Sequence, residues 1–402
     1  MKSKILLLIN SVFILLIVLS CENESIEIAI PVTDIEIYKS ADIIEVGSVD
    51  TLKVSIQPEN ANSVEIVWNS SEPSVATVSP EGIVTGISPG LSIISATTQD
   101  NTFTVTDTVH VVKWSYYYME SVPVRPVVID SLDNVWCGGM ELTRISNNSQ
   151  IIYPNIKRIS AIAANGSNNR WFGTYDSGIW NFDGTDWTNY SESNSNLAYN
   201  SVVYNSMALD SKNNLWVGTL KSTMGTGVTM YDRSQWHVFN SDSGLVYNNV
   251  VNIAIDDQGE KWFVTTKGIS SFDDSIWVSY TSENTGIDII DYVFSVAIDK
   301  ENNKWFGSYR GALKFDGTTW TAYNTSNSGL KWNLINAIAV DNDNNIWFAT
   351  ESGVSKFDGT NWVNYTSVKD GEYKVCNCRA IAIDSKNNKW IATTYGLIKL
   401  ED

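Results

Sequence analysis

Beyond residue 126 the chain alternates short apolar runs with polar turns rich in Asp and Asn, and the plan recurs. One unit reads Ala-Ile-Ala-Val-Asp at 337–341, Asn-Asn-Ile-Trp-Phe at 344–348 and Phe-Asp-Gly-Thr-Asn-Trp at 357–362. Brief apolar runs bounded by turn residues predict strands. The first strand of each unit ends in a small residue two before the turn: Ala163, Ala208, Ala254, Ala297, Ala339 and Ala382, with Val128 the exception. The turn opens on Asp130, Asn165, Asp210, Asp256, Asp299, Asp341 or Asp384, whose side chains can hydrogen-bond the turn backbone. A second strand then carries a tryptophan, and a third runs to Asp-Gly at 183–184, 316–317 or 358–359, a hairpin signal because the turn needs positive φ. The fourth holds an aromatic pair: Trp187/Tyr190, Trp236/Phe239, Trp277/Tyr280, Trp320/Tyr323 or Trp362/Tyr365.

The anchoring tryptophans, Trp136, Trp171, Trp216, Trp262, Trp305, Trp347 and Trp390, lie about 35 to 46 residues apart. That is the period of a four-stranded propeller blade. The predicted fold class is therefore all-β, with a seven-bladed β-propeller over residues 113–402. The small residue ending each first strand fits the crowding near a propeller axis. After Leu400 the last unit stops short of its outer strand, and Trp114-Ser115-Tyr116-Tyr117 has the missing Trp-x-x-Tyr spacing. This N-terminal strand is expected to pair with residues 380–402 and close the ring, removing an exposed sheet edge. Of the 16 tryptophans, 13 fall on these two repeat positions and are expected in the core. Trp68, Trp180 and Trp332 are the remainder.

The motif Asn-Asn-Lys-Trp-Phe-Gly-Ser-Tyr-Arg-Gly-Ala-Leu-Lys-Phe-Asp-Gly at 302–317 resembles the two-component regulator propeller repeat of Bacteroidota sensors. The resemblance implies the fold and, less specifically, a carbohydrate-receptor role. Upstream, strand patterns at 32–37, 52–54, 67–71, 75–78, 82–86 and 93–96 are similar in order to the bacterial Ig-like group 2 domain. A β-sandwich is expected over 27–112, with Trp68 in its core and a short link to the propeller that limits swing between the two. Such domains serve as spacers or adhesive modules, which implies a stalk.

Residues 1–20 pair a basic start, Lys2 and Lys4, with an apolar run from Ile5 to Leu19, and Cys21 follows. This resembles a bacterial lipoprotein signal, with Cys21 lipidated and residues 21–26 as tether. The expected location is the outer membrane, facing either the periplasm or the surface.

Charge narrows the partners. Lys and Arg number 27 against 45 Asp and Glu, so the formal charge is −18, and loss of Lys2 and Lys4 takes it to −20. Nucleic acid is excluded as a partner, since its binding needs a basic surface to displace phosphate counterions. Polyanionic glycans are disfavoured on the same ground.

Candidate chemistry is sparse. The two histidines, His110 and His237, are far apart in sequence and form no ligand motif, and no Gly-x-Ser-x-Gly elbow occurs. Asp341, Asp343 and Asn345 have a calcium-like spacing, but equivalent turns carry Lys, which favours a hydrogen-bonded turn. No metal or cofactor is expected. Cys137 can bridge to Cys376 or Cys378 across the closing blades, or all three can be buried apolar side chains.

The expected binding face carries the blade-to-blade loops and those between second and third strands. Trp332, with Tyr199 and Tyr247 at similar places, lies among Ser, Asn and Gly, a mix suited to sugar rings or to packing on the next blade. Tyr175, Asp176, Tyr309, Arg310, Glu351 and Tyr395 occupy the shorter loops and vary between blades as recognition residues do. The functional expectation is a non-catalytic lipoprotein binding a neutral glycan or a partner protein. A polysaccharide lyase or glycosidase, and a structural scaffold, are the alternatives.

Overall fold

The computed structural model describes residues 30–402 apart from 40, 62–63, 118, 120–122, 148, 165–168, 222–223, 367, 370–371 and 374–376. The signal segment, tether, Cys21, Asn165 and Cys376 lie outside the described residues. What is described is all-β, an Ig-like unit followed by propeller-like four-stranded sheets.

In the Ig-like unit, Asp34–Tyr38 pairs with Lys53–Gln57, Ile83–Gly86 lies between Val49–Thr51 and Ala76–Val78, and Gly90–Thr98 lies between Ile66–Ser70 and Thr104–Tyr117. Alternate residues turn inward to bury Ile44, Leu52, Ala76, Val84, Ile94, Val109 and Val111. Trp68 packs against this core while remaining partly exposed.

Six four-stranded antiparallel sheets follow, spanning 127–157, 159–190, 201–239, 250–280, 293–323 and 335–365. The last three strands, Cys378–Ile383, Lys389–Thr393 and Gly396–Glu401, continue into Thr104–Tyr117. That strand serves both units. Thr104–Val111 pairs with Gly90–Thr97, and Lys113–Tyr117 pairs with Leu397–Glu401, Trp114 opposite Leu400. A single ladder therefore runs from the sandwich into the last sheet, with no loop between them.

The anchoring tryptophans stack on the fourth strand of their own sheet: Trp171 on Tyr190 at 5.5 Å, Trp262 on Tyr280 at 5.6 Å, Trp347 on Tyr365 at 5.0 Å. Tyr117 takes that place against Trp390, also at 5.0 Å. Neighbouring sheets interlock through the residues flanking each tryptophan. Phe172, Phe263 and Phe306 pack on Trp136, Trp216 and Trp262 of the preceding sheet. At Gly173 the sheets come so close that a Cβ would lie 2.6 Å from Val202 Cγ1, which is why glycine stands there.

The turn carboxylates do more than hold their turns. Asp341 accepts from the amides of Asp343 and Asn345, from Asn345 Nδ2, and from Trp347 Nε1 at 2.8 Å. Asp130, Asp210, Asp299 and Asp384 bind Trp136, Trp216, Trp305 and Trp390 in the same way. A constant six-residue offset thus ties the turn to the core indole. Both Asp341 carboxylate oxygens accept hydrogen bonds, Oδ1 from the turn amides and Oδ2 from Asn345 and Trp347.

First and last sheets meet. Val127, Val135, Cys137 and Ile145 share one buried cluster with Ala380, Trp390, Ala392 and Leu397, and the Ser385 amide donates to Asp133 Oδ1 at 3.0 Å. Cys137 is a free thiol within that cluster, so it does not form the bridge considered from sequence.

Candidate functional site

Six of the seven first strands depart from regular pairing at one place, the exception being Val127–Ile129. Register slips between Ile159 and Ala161, Val250 and Asn252, Val293 and Ser295, Ile335 and Ala337, and Cys378 and Ala380. The bulged residues are Ser160, Val251, Phe294, Asn336 and Arg379. A β-bulge re-aims the side chain it carries. Here the last four, with Arg125, Tyr204 and Asn205, line one cleft of about 220 Å³ where the first strands converge.

The third sheet carries the largest distortion. Val202 opposes Thr219 and Met207 opposes Val217, so residues 203–206 face Gly218 alone. Asn205 adopts φ +57°, a left-handed conformation that Asn tolerates better than most residues, and Ser206 Oγ donates to the Val203 carbonyl at 2.8 Å. The bulge sets Tyr204 into the cleft, where its ring lies 4.8 Å beneath the Arg125 guanidinium. Tyr175 follows at 6.2 Å from Tyr204, Arg158 stacks on Tyr175 at 4.7 Å, and Arg158 pairs with Asp176 at 2.5 Å. In the fifth sheet Tyr309 meets Tyr292 edge to face at 5.1 Å, with Arg310 over the Tyr309 ring. The Asn336 side-chain amide is held by donation to the Cys378 carbonyl at 2.8 Å.

Charge in the cleft opposes that of the whole chain. Arg125 and Arg379 line it, and no acidic side chain does. Among the described residues the arginine–carboxylate pairs are Arg158–Asp176 and Arg170–Asp130, so neither cleft arginine has one, and Arg379 Nε is buried without an acceptor. Phe294 and Tyr204, 40% and 41% exposed, offer apolar faces beside them.

None of the residues singled out from sequence is among those lining the cleft. Tyr175 and Asp176 join the chain of contacts leading to Arg125, and Tyr309 with Arg310 forms a second aromatic group around Tyr292. Glu351 and Tyr395 are exposed and do not line the cleft. Trp332 sits beneath Lys331 at 5.5 Å, and Lys331 lines a different, larger cleft between the Ig-like unit and the sixth sheet. Tyr247 lies beneath Lys267 at 4.5 Å. Arg125, Tyr204, Asn205, Phe294, Asn336 and Arg379 escaped the sequence reading. The signal was present: three residues before the constant small position stand Arg125, Ser160, Asn205, Val251, Phe294, Asn336 and Arg379, five residue types in seven units.

Four-stranded sheets sharing a cleft, joined to a small sandwich by a common strand, define the class as an Ig-like domain with propeller-like repeats. Residues 31–109 match the bacterial Ig-like domain (group 2), and residues 196–221 and 329–352 match the two component regulator propeller. Two uncharacterised proteins of Clostridium acetobutylicum are 35% identical over 72 residues and 32% over 68; these segments cover 18% and 17% of this chain, and 7% and 17% of theirs. The extracellular domain of the hybrid two component system BT4673 from B. thetaiotaomicron superposes with TM-score 0.58 at 18% identity, over 72% of this chain and 39% of its own. PorZ, a surface component of the type-IX secretion system of Porphyromonas gingivalis, gives 0.53 at 16%, over 79% and 52%. Virginiamycin B lyase from Staphylococcus aureus gives 0.59 at 12%, over 72% and 99%. At these identities the likeness is one of fold.

Proposed function

We propose that the sheets form a closed seven-bladed propeller that binds a sugar or a partner protein without catalysis, carried at the outer membrane by lipidated Cys21 with the Ig-like domain as stalk. The observation that carries this reading is the series of bulges: a fold built on repetition spends its one recurrent irregularity on delivering unlike side chains to a single cleft. Closure is supported by the pairing of Trp114 with Leu400 and by the cluster shared between first and last sheets. Stalk and propeller share a strand, so the cleft is carried on a stiff support. An envelope location agrees with the extracellular domain and the surface component among the structural neighbours. No helix of the described residues is long and apolar enough to cross a membrane.

A lyase is the competing reading, because lyases share the fold, and replacing one histidine of the Staphylococcus aureus enzyme by alanine leaves that enzyme catalytically inactive. Here the propeller's histidine, His237, lies on the outer strand Trp236–Phe239, hydrogen-bonded to Asp232 at 2.8 Å, and is not among the cleft residues. General acid-base work needs paired groups within reach of one reacting atom. The cleft offers two arginines and no base.

A combined glycan and peptide array probed with residues 22–402 tests the proposal. Binding should be lost in Phe294→Ala and Tyr204→Ala with the fold intact. Binding that survives both changes would place the site on another face.

A further inference from the structure

Resting on the reading of this cleft as a ligand site, we propose that it recognises the carboxylate of an acidic sugar, a uronic acid presented singly at a chain end. Arg125, just before the first sheet, and Arg379, on the first strand of the last, line one cleft of about 220 Å³. A carboxylate is the anion that a guanidinium matches best, through two parallel hydrogen bonds in a plane. Among the described residues neither arginine has such a partner. Arg379 Nε is buried and lacks an acceptor among the described residues, so no internal acid neutralises this guanidinium there. Arg125 is held by the Tyr204 face rather than by an acid.

The other linings argue for a sugar. Phe294 and Tyr204 provide flat apolar faces, and Asn205 and Asn336 provide amides for hydroxyl groups. The volume falls below the roughly 300–1,000 Å³ of drug-sized pockets, which limits occupancy to about one ring. The chain's net charge of −18 rejects a polyanion approaching the whole surface. Screening confines that repulsion to longer range, since the Debye length is about 8 Å at physiological salt, and two unneutralised arginines decide the sign inside the cleft. Selectivity for one carboxylate over both neutral and polyanionic ligands follows. The expectation of a neutral glycan rested on total charge alone, and the local charge revises it.

Full-length protein titrated with glucuronate and with glucose, which differ at C6, tests this by tryptophan fluorescence and by the Nε–Hε NMR signals of the arginines. Glucuronate should bind at least tenfold more tightly than glucose and shift two arginine signals, those missing from Arg125→Gln and Arg379→Gln. Each of these variants should lose at least tenfold for glucuronate, and 500 mM salt should weaken binding in the wild type. Equal affinity for the two sugars, or glucuronate binding unchanged in both variants, overturns the inference while leaving a sugar-binding cleft in place. Absence of binding by either sugar overturns the acidic-sugar assignment. A peptide C-terminus that shifts the same two signals where glucuronate does not would replace the sugar by a protein ligand, and heparin binding as tightly as glucuronate would remove the single-carboxylate selectivity.

Discussion

The Lys389 ammonium lies 4.5 Å from the centre of the Trp347 ring, so a cation on the last sheet covers the core tryptophan of the sheet before it. The relation recurs, with Arg170 over Trp136 at 5.6 Å, Lys261 over Trp216 at 5.4 Å and Lys304 over Trp262 at 5.1 Å. In each case the cation immediately precedes its own sheet's anchor tryptophan. Aromatic packing and charge pairing cross the same seam where buried acids of the preceding sheet complete it, Asp130 for Arg170 at 2.6 Å and Asp256 for Lys304 at 3.2 Å, whereas Lys389 pairs with Asp402 at the end of its own sheet.

Lys389→Met should lower stability by about 3 kcal/mol, the lower end for removing one partner of a buried pair, because Lys356 and Tyr365 still face Asp402. Denaturant unfolding of Lys389→Met, Asp402→Asn and the double variant checks this. The double variant should recover part of the loss, and strict additivity would show that the two side chains do not interact.

Ser115→Pro places a proline opposite Lys399, in the stretch where Thr104–Tyr117 joins the last sheet. Proline cannot donate to a ladder, and within sheets it is confined to edge strands, strand starts and bulges. The melting temperature of the propeller should fall by several degrees. An unchanged melting curve would mean that the Trp114 strand does not close the ring.

Acid should weaken the fold below about pH 4. Burial alone would raise the Asp341 carboxyl, but hydrogen bonds from Asn345 and Trp347 and the nearby Lys389 charge hold it below the usual carboxylate range. A depressed folded value means that the unfolded chain takes up the proton more readily. The stabilisation is therefore complete above the unfolded value of about 3.9 and is lost as pH falls through the folded one. Melting temperature followed from pH 6 to pH 2.5 should drop less steeply for Asp341→Asn than for the wild type, from a lower starting point at pH 6.

Cys137 should resist thiol reagents in the native protein. Burial pushes its thiol up to about 12, so almost no thiolate exists at neutral pH. Labelling with a maleimide should require denaturant. Rapid labelling without it would show that the contact between first and last sheets opens.

Cys21→Ser should release the protein from membranes, since each buried acyl CH₂ contributes about 0.8 kcal/mol to anchoring. Fractionation after carbonate washing decides it. A variant that still pellets with membranes would refute lipidation as the anchor.

Much of the fold was legible because its determinants are local and repeated. Small residues before an Asp turn, a tryptophan six residues after that Asp, and an aromatic pair beyond Asp-Gly each act within one hairpin, where spacing along the chain sets spacing in space. The pairing of the Trp114 strand with the last sheet was legible for the same reason, since Trp114 and Tyr117 repeat the spacing of the other outer strands. The cleft was not. The bulged position keeps a constant offset from the small residue, but that the side chains there share one cleft, and the four-residue excursion at 203–206, depend on how each first strand meets its neighbour, a contact that hydrophobic alternation does not encode. Arg125 and Arg379 stand 254 positions apart in the chain and share a cleft only because the first and last sheets meet. The sequence by itself determined strands, turns, repeat length and the two domain types, through short-range periodicity and turn chemistry; tertiary structure alone decided which unlike side chains converge, because convergence is set by the packing of sheets far apart in the chain.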